Sequence, residues 1–210
     1  MRPVRLAVRR IGVAGITLLA LLSLTLGLFL LPPVTHLFLG VAGSAETLSI
    51  DHAVAHALSD ALVGDLLVAG AFDVPLNGEP LLSISERSHL VDVGVLFRIL
   101  MTGGALAFLA LVGLYRRNRR WFIEGLHDGA LLLGAGAAAV GVSFTVAFDA
   151  TFTFAHELLF PAGNWTFNPA TDRLVQLYPA NFWVSVAISF CAVLVGAAAI
   201  GFTIARRRRR

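Results

Sequence analysis

Two histidines, His89 and His156, are the residues of this sequence best suited to chemistry. Asp92 follows His89 by three residues, on the same face if the segment is helical. Asp149 precedes His156 by seven, again on one helical face, with Thr153 between them. An imidazole titrates near neutral pH, so such a pair can take a proton from one reacting atom and return it to another. A buried, hydrogen-bonded histidine pair without a catalytic role fits the spacing nearly as well. Seven helical residues span roughly 10 Å, so no direct bond between Asp149 and His156 is expected. Other catalytic patterns are missing: the sequence has no GxSxG elbow, no HExxH and no glycine-rich phosphate loop. His52 and His56 form an i, i+4 pair in HAVAH, but no third ligand is fixed, and a surface helix explains them better than a metal site. His36 and His127 have no obvious partners. Cys191 is the single cysteine and lies in an apolar run, where packing accounts for it.

The elements that carry these residues are membrane spans. Only 14% of the 210 residues are charged, against 57% hydrophobic, and mean hydropathy is +0.81. A soluble domain carries about 25% charge. Four apolar runs reach the roughly 20 residues needed to cross a bilayer. They lie at about 11–31, 93–115, 129–148 and 182–205. All are expected to be helical, because lipid offers no partner to a free backbone group. The first run is longer than the core of a signal peptide and is expected to be retained as a span. The chain is thus read as one all-α integral membrane domain over residues 1–210.

All 16 basic residues are arginine, and 13 cluster before the first span, after the second and after the fourth. Their place at the ends of apolar runs excludes a nucleic-acid reading. It assigns those ends, and both termini, to the cytoplasm. The loops at about 32–92 and 149–181 then face outward. The first loop holds eight acidic residues and one arginine. Apolar positions from Ser44 to Ala71 recur at helical spacing, which predicts one amphipathic helix, or two, on the membrane surface or over the bundle. FDVPLNGEP reads as turns. Ser83 and Glu86 form a capping-box pattern that starts a helix running into the second span. Arg98 lies deeper on that helix, as a snorkelling interface residue or a contact to a lipid or substrate head group. Asp149 stands at a span edge, where ionisable residues are functional candidates. Trp165 and Trp183 suit the interface belt.

Two stretches resemble the bacterial lipoprotein intramolecular transacylase (Lit) family. PLNGEPLLSISERSHLVDVGVLF carries its Ser-Glu-Arg-x-His-x-x-Asp-Val pattern, and FDATFTFAHELLFPAGNWTFNPATDRLVQLYPANFW carries its second histidine region. Ala155 stands where the family favours Phe, and Asn168 where Asp is common. The resemblance implies transfer of the sn-2 acyl chain of a diacylglyceryl cysteine onto the α-amine of that cysteine, giving a lyso-form lipoprotein. The partners are then a diacylated lipoprotein and membrane lipid. The nucleophile is the substrate's own amine, so no serine or cysteine nucleophile, metal or cofactor is implied. By the same resemblance His89 is the preferred base and His156 its partner. Arg87, Asp92, Arg98, Asp149, Asn164, Trp165 and Asp172 support them or bind substrate. The competing readings are a metal-dependent membrane lipid hydrolase and a non-enzymatic membrane partner. Transport fits poorly, because no span carries mid-membrane polar residues.

Overall fold

The computed structural model describes residues 2–209, without the side chains of residues 2–7, 9 and 209. Of the clustered arginines, Arg210 and the side chains of Arg2, Arg5, Arg9 and Arg209 therefore lie outside the described residues. Helices α1 (Arg2–Phe29), α2 (Pro32–Ala42), α3 (Ser44–Leu48) and α4 (His52–Val68) are followed by a hairpin of β1 (Pro75–Leu76) and β2 (Glu79–Pro80). Then come α5 (Ile84–Arg117), α6 (Arg119–Val146), α7 (Phe148–Leu159), α8 (Arg173–Leu177) and α9 (Ala180–Arg209).

Four of these, α1 from Arg10, α5, α6 and α9 to Arg208, are long and apolar enough to cross a membrane, with mean hydropathy between 1.8 and 2.3. Leu109, Val142 and Ile200 on them are 65%, 63% and 64% exposed. Large aliphatic side chains turned outward along whole helices are solvated by lipid, not by water. α5 has 34 residues. At 1.5 Å per residue it measures roughly 50 Å, well beyond about 30 Å of hydrocarbon, so its first turns stand outside the bilayer core.

Contacts divide the chain into two compact units. One comprises Met1–Gly27, Leu100–Val142 and Ser189–Arg210. Small residues bring its helices together. Gly129 of α6 lies against the Ala14 carbonyl and Thr17 of α1, and Gly104 of α5 lies against Ser23, so a methyl group at either position would collide. The Ser23 hydroxyl donates to the Leu100 carbonyl at 2.9 Å. Arg10 donates to one oxygen of Asp128 through Nε at 3.1 Å and a terminal nitrogen at 2.7 Å.

The second unit, Leu28–Ile99 and Ser143–Ile188, holds the larger apolar core. Leu39, Leu48, Leu58, Leu62, Phe72 and Leu177 are its buried centre. Pro32 starts α2 after extended Leu31, because a proline has no N–H to leave unpaired in a first turn. No amphipathic pattern marks 32–42 as a helix in the sequence; the two prolines that follow α1 begin α2. Over Ser44–Ala71 the expected helical segment forms as two, α3 and α4. The break falls at Ser49, which takes φ 54°. Asn77 and Gly78 take φ of 55° and 86°, the left-handed pair that closes a two-residue hairpin loop. The helix expected to continue from the third span to Phe160 is interrupted at Ala147 (φ −145°, ψ 61°), after which α7 starts afresh.

Polar bonds fasten this unit where apolar packing alone would leave backbone groups unpaired. Asn181 donates to the Ala42 carbonyl at the end of α2, and the Tyr178 hydroxyl pairs with Ser59 at 3.0 Å. Arg98 donates to the Leu66 carbonyl in the last turn of α4 at 2.9 Å. A cation at a helix C-terminus meets the partial negative charge of unpaired carbonyls.

Candidate active site

The first turn of α5 is capped as its pattern predicts. The Ser83 N–H donates to Glu86 at 2.7 Å and the Glu86 N–H to the Ser83 hydroxyl at 3.3 Å. Glu86 is 1% exposed, and its second oxygen accepts the Leu174 N–H at 2.7 Å. One buried carboxylate thus ends the loop before α5 and anchors α8. One turn further, His89 is buried.

His156 enters the same site from α7. The two imidazole centroids are 5.9 Å apart, with planes inclined at 32°. Phe160 packs against both, at 4.9 Å from His89 and 5.5 Å from His156. Phe167 lies 5.7 Å from His89, Trp165 lies 5.2 Å from His156, and Phe152 stacks on His156 at 3.9 Å. His89 and Phe160 are buried and His156 is half-buried among these rings, and a less polar surrounding strengthens each polar contact within it.

His156 Nδ1 lies 2.9 Å from the Phe152 carbonyl. A carbonyl only accepts, so Nδ1 carries the proton and Nε2 of the neutral ring keeps its lone pair. Burial holds this imidazole below the usual histidine value, against the smaller opposing effect of the Phe152 carbonyl. Burial thus favours the neutral imidazole of His156, the form able to accept a proton.

Asn164 joins the two motifs. Its amide nitrogen donates to Asp92 at 2.8 Å and to Ser88 at 3.3 Å. Two buried polar atoms in this site, His89 Nδ1 and Asn164 Oδ1, make no hydrogen bond of full geometry, although the Asn164 side chain lies within hydrogen-bonding reach of the His89 ring. Such atoms are uncommon in native proteins and mark places where a ligand can complete the bonding.

Five of the residues singled out in the sequence meet here: His89, Asp92, His156, Asn164 and Trp165. The others are engaged elsewhere. Arg87 pairs with Asp73 at 3.1 Å, and Arg98 holds α4. Asp172 accepts the Asn168 N–H at 2.7 Å in its own turn, and Asp149 is exposed in the first turn of α7. Phe152, Phe160, Phe167 and Ser88 belong to the site and were not foreseen. Phe152 and Phe160 flank His156 at four-residue spacing, a detectable signal; Phe167 lies in a loop and carries none. The histidines of HAVAH face different partners, His52 toward Glu46 at 3.3 Å and His56 stacked on His36 at 4.0 Å. His36 and His127, which lacked partners in sequence, have them in the fold: Asp60 and Asp128, each at 2.9 Å.

Four apolar helices, and a histidine pair set among aromatic rings on α5 and α7, define a helical integral membrane protein with a candidate acid–base site. The model of the family "Lipoprotein intramolecular transacylase Lit" matches residues 68–183, more than half of the chain, and the chain belongs to that family. Its fold is similar to the in meso structure of the membrane integral lipoprotein intramolecular transacylase Lit from Bacillus cereus. The TM-score is 0.75 at 18% identity, over 96% of this chain and 94% of that one. Structures of two variants of the Bacillus cereus protein, with a histidine replaced by arginine or by alanine, match with TM-scores of 0.68 and 0.66. Their identities are 16% and 15%, over 96% of this chain and 90% and 92% of theirs. At these identities the likeness is one of fold. No curated protein sequence matches the chain.

Proposed function

We propose that this chain, a lipoprotein intramolecular transacylase by family, carries out its reaction between His89 and His156. The substrate is a lipoprotein whose N-terminal cysteine bears a diacylglyceryl group and a free α-amine. The neutral amine attacks the sn-2 ester carbonyl and a C–N bond forms. The ester C–O bond breaks, and the acyl chain ends on nitrogen. One proton leaves the nitrogen and one is needed by the departing glyceryl oxygen, so a single base can serve both steps with no net change in protonation. An ester gives way to a more stable amide, and no external energy source is required.

The tautomer of His156 supports it as that base. Its Nδ1–H is held by Phe152 and its Nε2 lone pair is available. This reverses the assignment that motif resemblance favours. His89, rigidly enclosed, then acts as the donor that stabilises the oxyanion. Asn164 Oδ1 is suited to accept an N–H of the substrate amine, while Asp92 fixes the amide's orientation. The aromatic rings hold the acyl chain. Because both reacting groups sit in one molecule, orientation alone can supply several kcal/mol. Arg87, Arg98 and Asp172 then serve the fold around the site, and Asp149 stands apart from it. The positive-inside distribution of arginine supports cytoplasmic termini and a site on the outer face of a bacterial cytoplasmic membrane, in one multi-pass domain.

The single observation that carries this reading is the pairing of the two imidazoles at 5.9 Å within an aromatic enclosure. It is tested by expressing the chain in a bacterium that makes diacylated lipoproteins with free N-termini. Fragmentation of the N-terminal lipopeptide should give an N-acyl cysteine at unchanged parent mass. Loss of one acyl chain from the parent would make the protein a hydrolase. A gain would require a donor lipid, and an unaltered peptide would favour a scaffold.

A further inference from the structure

The other unit contains a second polar site, unrelated to the histidines. Arg10 of α1, Arg119, Arg120, Ile123 and Glu124 of α6, and Arg207 and Arg208 of α9 line one cavity of about 910 Å³. Three helices thus bring five guanidinium groups to one space with a single carboxylate among them. Two of the five are neutralised: Arg10 by Asp128 at 2.7 Å and Arg120 by Glu124 at 3.1 Å. Arg119, Arg207 and Arg208 form no ion pair with a described residue; Arg119 lies 5.6 Å from the centre of the Tyr115 ring. Three fixed cations around a solvent-open cavity repel one another, and an anion relieves that repulsion.

The depth of the cavity indicates which anion. Arg10 and Arg119 precede the apolar runs of α1 and α6, and Arg207 and Arg208 follow that of α9. The hydrocarbon core ends there, at the level where phospholipid phosphates lie. Guanidinium groups bind a phosphate's oxygens in pairs, so converging arginines select a phosphate over a zwitterion's masked charge. The N-terminus of α6 adds its partial positive charge. Arg207 also borders a smaller cavity of about 250 Å³ with Phe202, Thr203 and Arg206, whose mixed wall suits a glyceryl ester beneath a headgroup.

We infer that the cavity between Arg10, Arg119, Arg120, Arg207 and Arg208 binds the phosphate of an anionic phospholipid headgroup. The site would tie the span ends together and is separate from the acyl-transfer chemistry. Its test is native mass spectrometry of the full-length protein in detergent, with phosphatidylglycerol and phosphatidylcholine of matched chains at equal concentration. Phosphatidylglycerol should be retained at least about tenfold better, a step of one decade in affinity. The triple variant Arg119→Gln, Arg207→Gln, Arg208→Gln should lose that preference while unfolding at the wild-type temperature in phosphatidylcholine. Should that variant not fold, Arg119→Gln and Arg207→Gln taken singly should each lower the preference. Equal retention of the two lipids by the wild type overturns the inference, as does a preference that survives in the folded variants. Displacement of the lipid by an equal concentration of inorganic phosphate would make this a free-anion site and overturn the lipid assignment.

Discussion

Asn164 donates its side-chain amide to Asp92 at 2.8 Å, a bond between residues 72 positions apart. It links the loop after α7 to the turn of α5 that follows His89, so the relative placement of the two histidine motifs depends on it. Asn164→Ala and Asp92→Ala should each reduce kcat by about 10–100-fold, in line with the sensitivity of a reaction to small displacements of its groups. The double variant should be little worse than either single one, because each removes the same contact. Fully multiplicative losses in a steady-state assay would show that the two residues act separately.

His89→Ala and His156→Ala should each lower the rate by about 10²–10⁴, the usual contribution of a positioned acid or base. Both proteins should insert and fold. His52, which pairs with Glu46 on α3, should tolerate alanine with near wild-type activity. Retention of activity by both site variants, in well-folded protein, would remove the acid–base role from this pair.

The pH dependence follows from two groups that must both be neutral. The substrate α-amine titrates near pH 8. The His156 imidazole is held below its ordinary 6.5 by burial. Below about pH 8 the logarithm of kcat/KM should therefore fall with a slope of one as the amine is protonated. Below the lowered His156 value the slope should steepen to two. His156→Ala should keep a slope of one throughout. The same shift has a stability consequence: the unfolded chain binds the proton more readily than the folded one. The contribution is full above about pH 6.5 and is lost as pH falls through the folded value. A second inflection in wild type above 6.5 would contradict the assignment.

Glu86 is the buried acceptor for two backbone N–H groups, those of Ser83 and Leu174. Glu86→Ala leaves both without a partner and should destabilise the protein by on the order of 2–4 kcal/mol. Glu86→Gln keeps one acceptor oxygen and should recover part of the loss. Thermal unfolding in detergent is the measurement, and equal transitions for wild type and both variants would mean that water replaces the carboxylate without cost.

Orientation can be read with single cysteines introduced into Cys191→Ala protein. Gly78→Cys, in the hairpin turn, and Gly163→Cys, beside Asn164, should react with a membrane-impermeant thiol reagent on intact cells. Asn118→Cys, between α5 and α6, should react only after lysis. The opposite pattern would invert the chain in the membrane.

Much of this architecture is legible in the order of residues, because membrane helices are governed by local composition. A run of 20 apolar residues is a span whatever surrounds it, and the arginines at its ends imply an orientation before any fold exists. The Ser83–Glu86 cap and the Asn77–Gly78 turn are local in the same sense, closed within four residues, and both form as their patterns indicate. Pro32 and Pro33 show the limit of such reading. A proline pair ends one helix and starts the next with equal ease, and only the burial of Phe38 and Leu39 in the core favours α2.

The candidate site required the tertiary structure. Sequence singled out Arg87, Arg98, Asp149 and Asp172 beside the histidines because they are polar and near the motifs. Proximity along the chain says nothing about which partner a side chain meets, and Asp73, Leu66 and Asn168 take three of them away, while Asp149 faces outward. Phe167 offered no signal, since an aromatic residue in a loop becomes a wall of a pocket only when the loop folds back. Sequence alone determined the helical membrane class and marked the two histidines as candidates. Only the fold decided that they lie 5.9 Å apart and that His156 keeps its Nε2 lone pair. Apolar periodicity is written residue by residue, whereas a proton's position depends on a carbonyl and a ring brought together from separate turns.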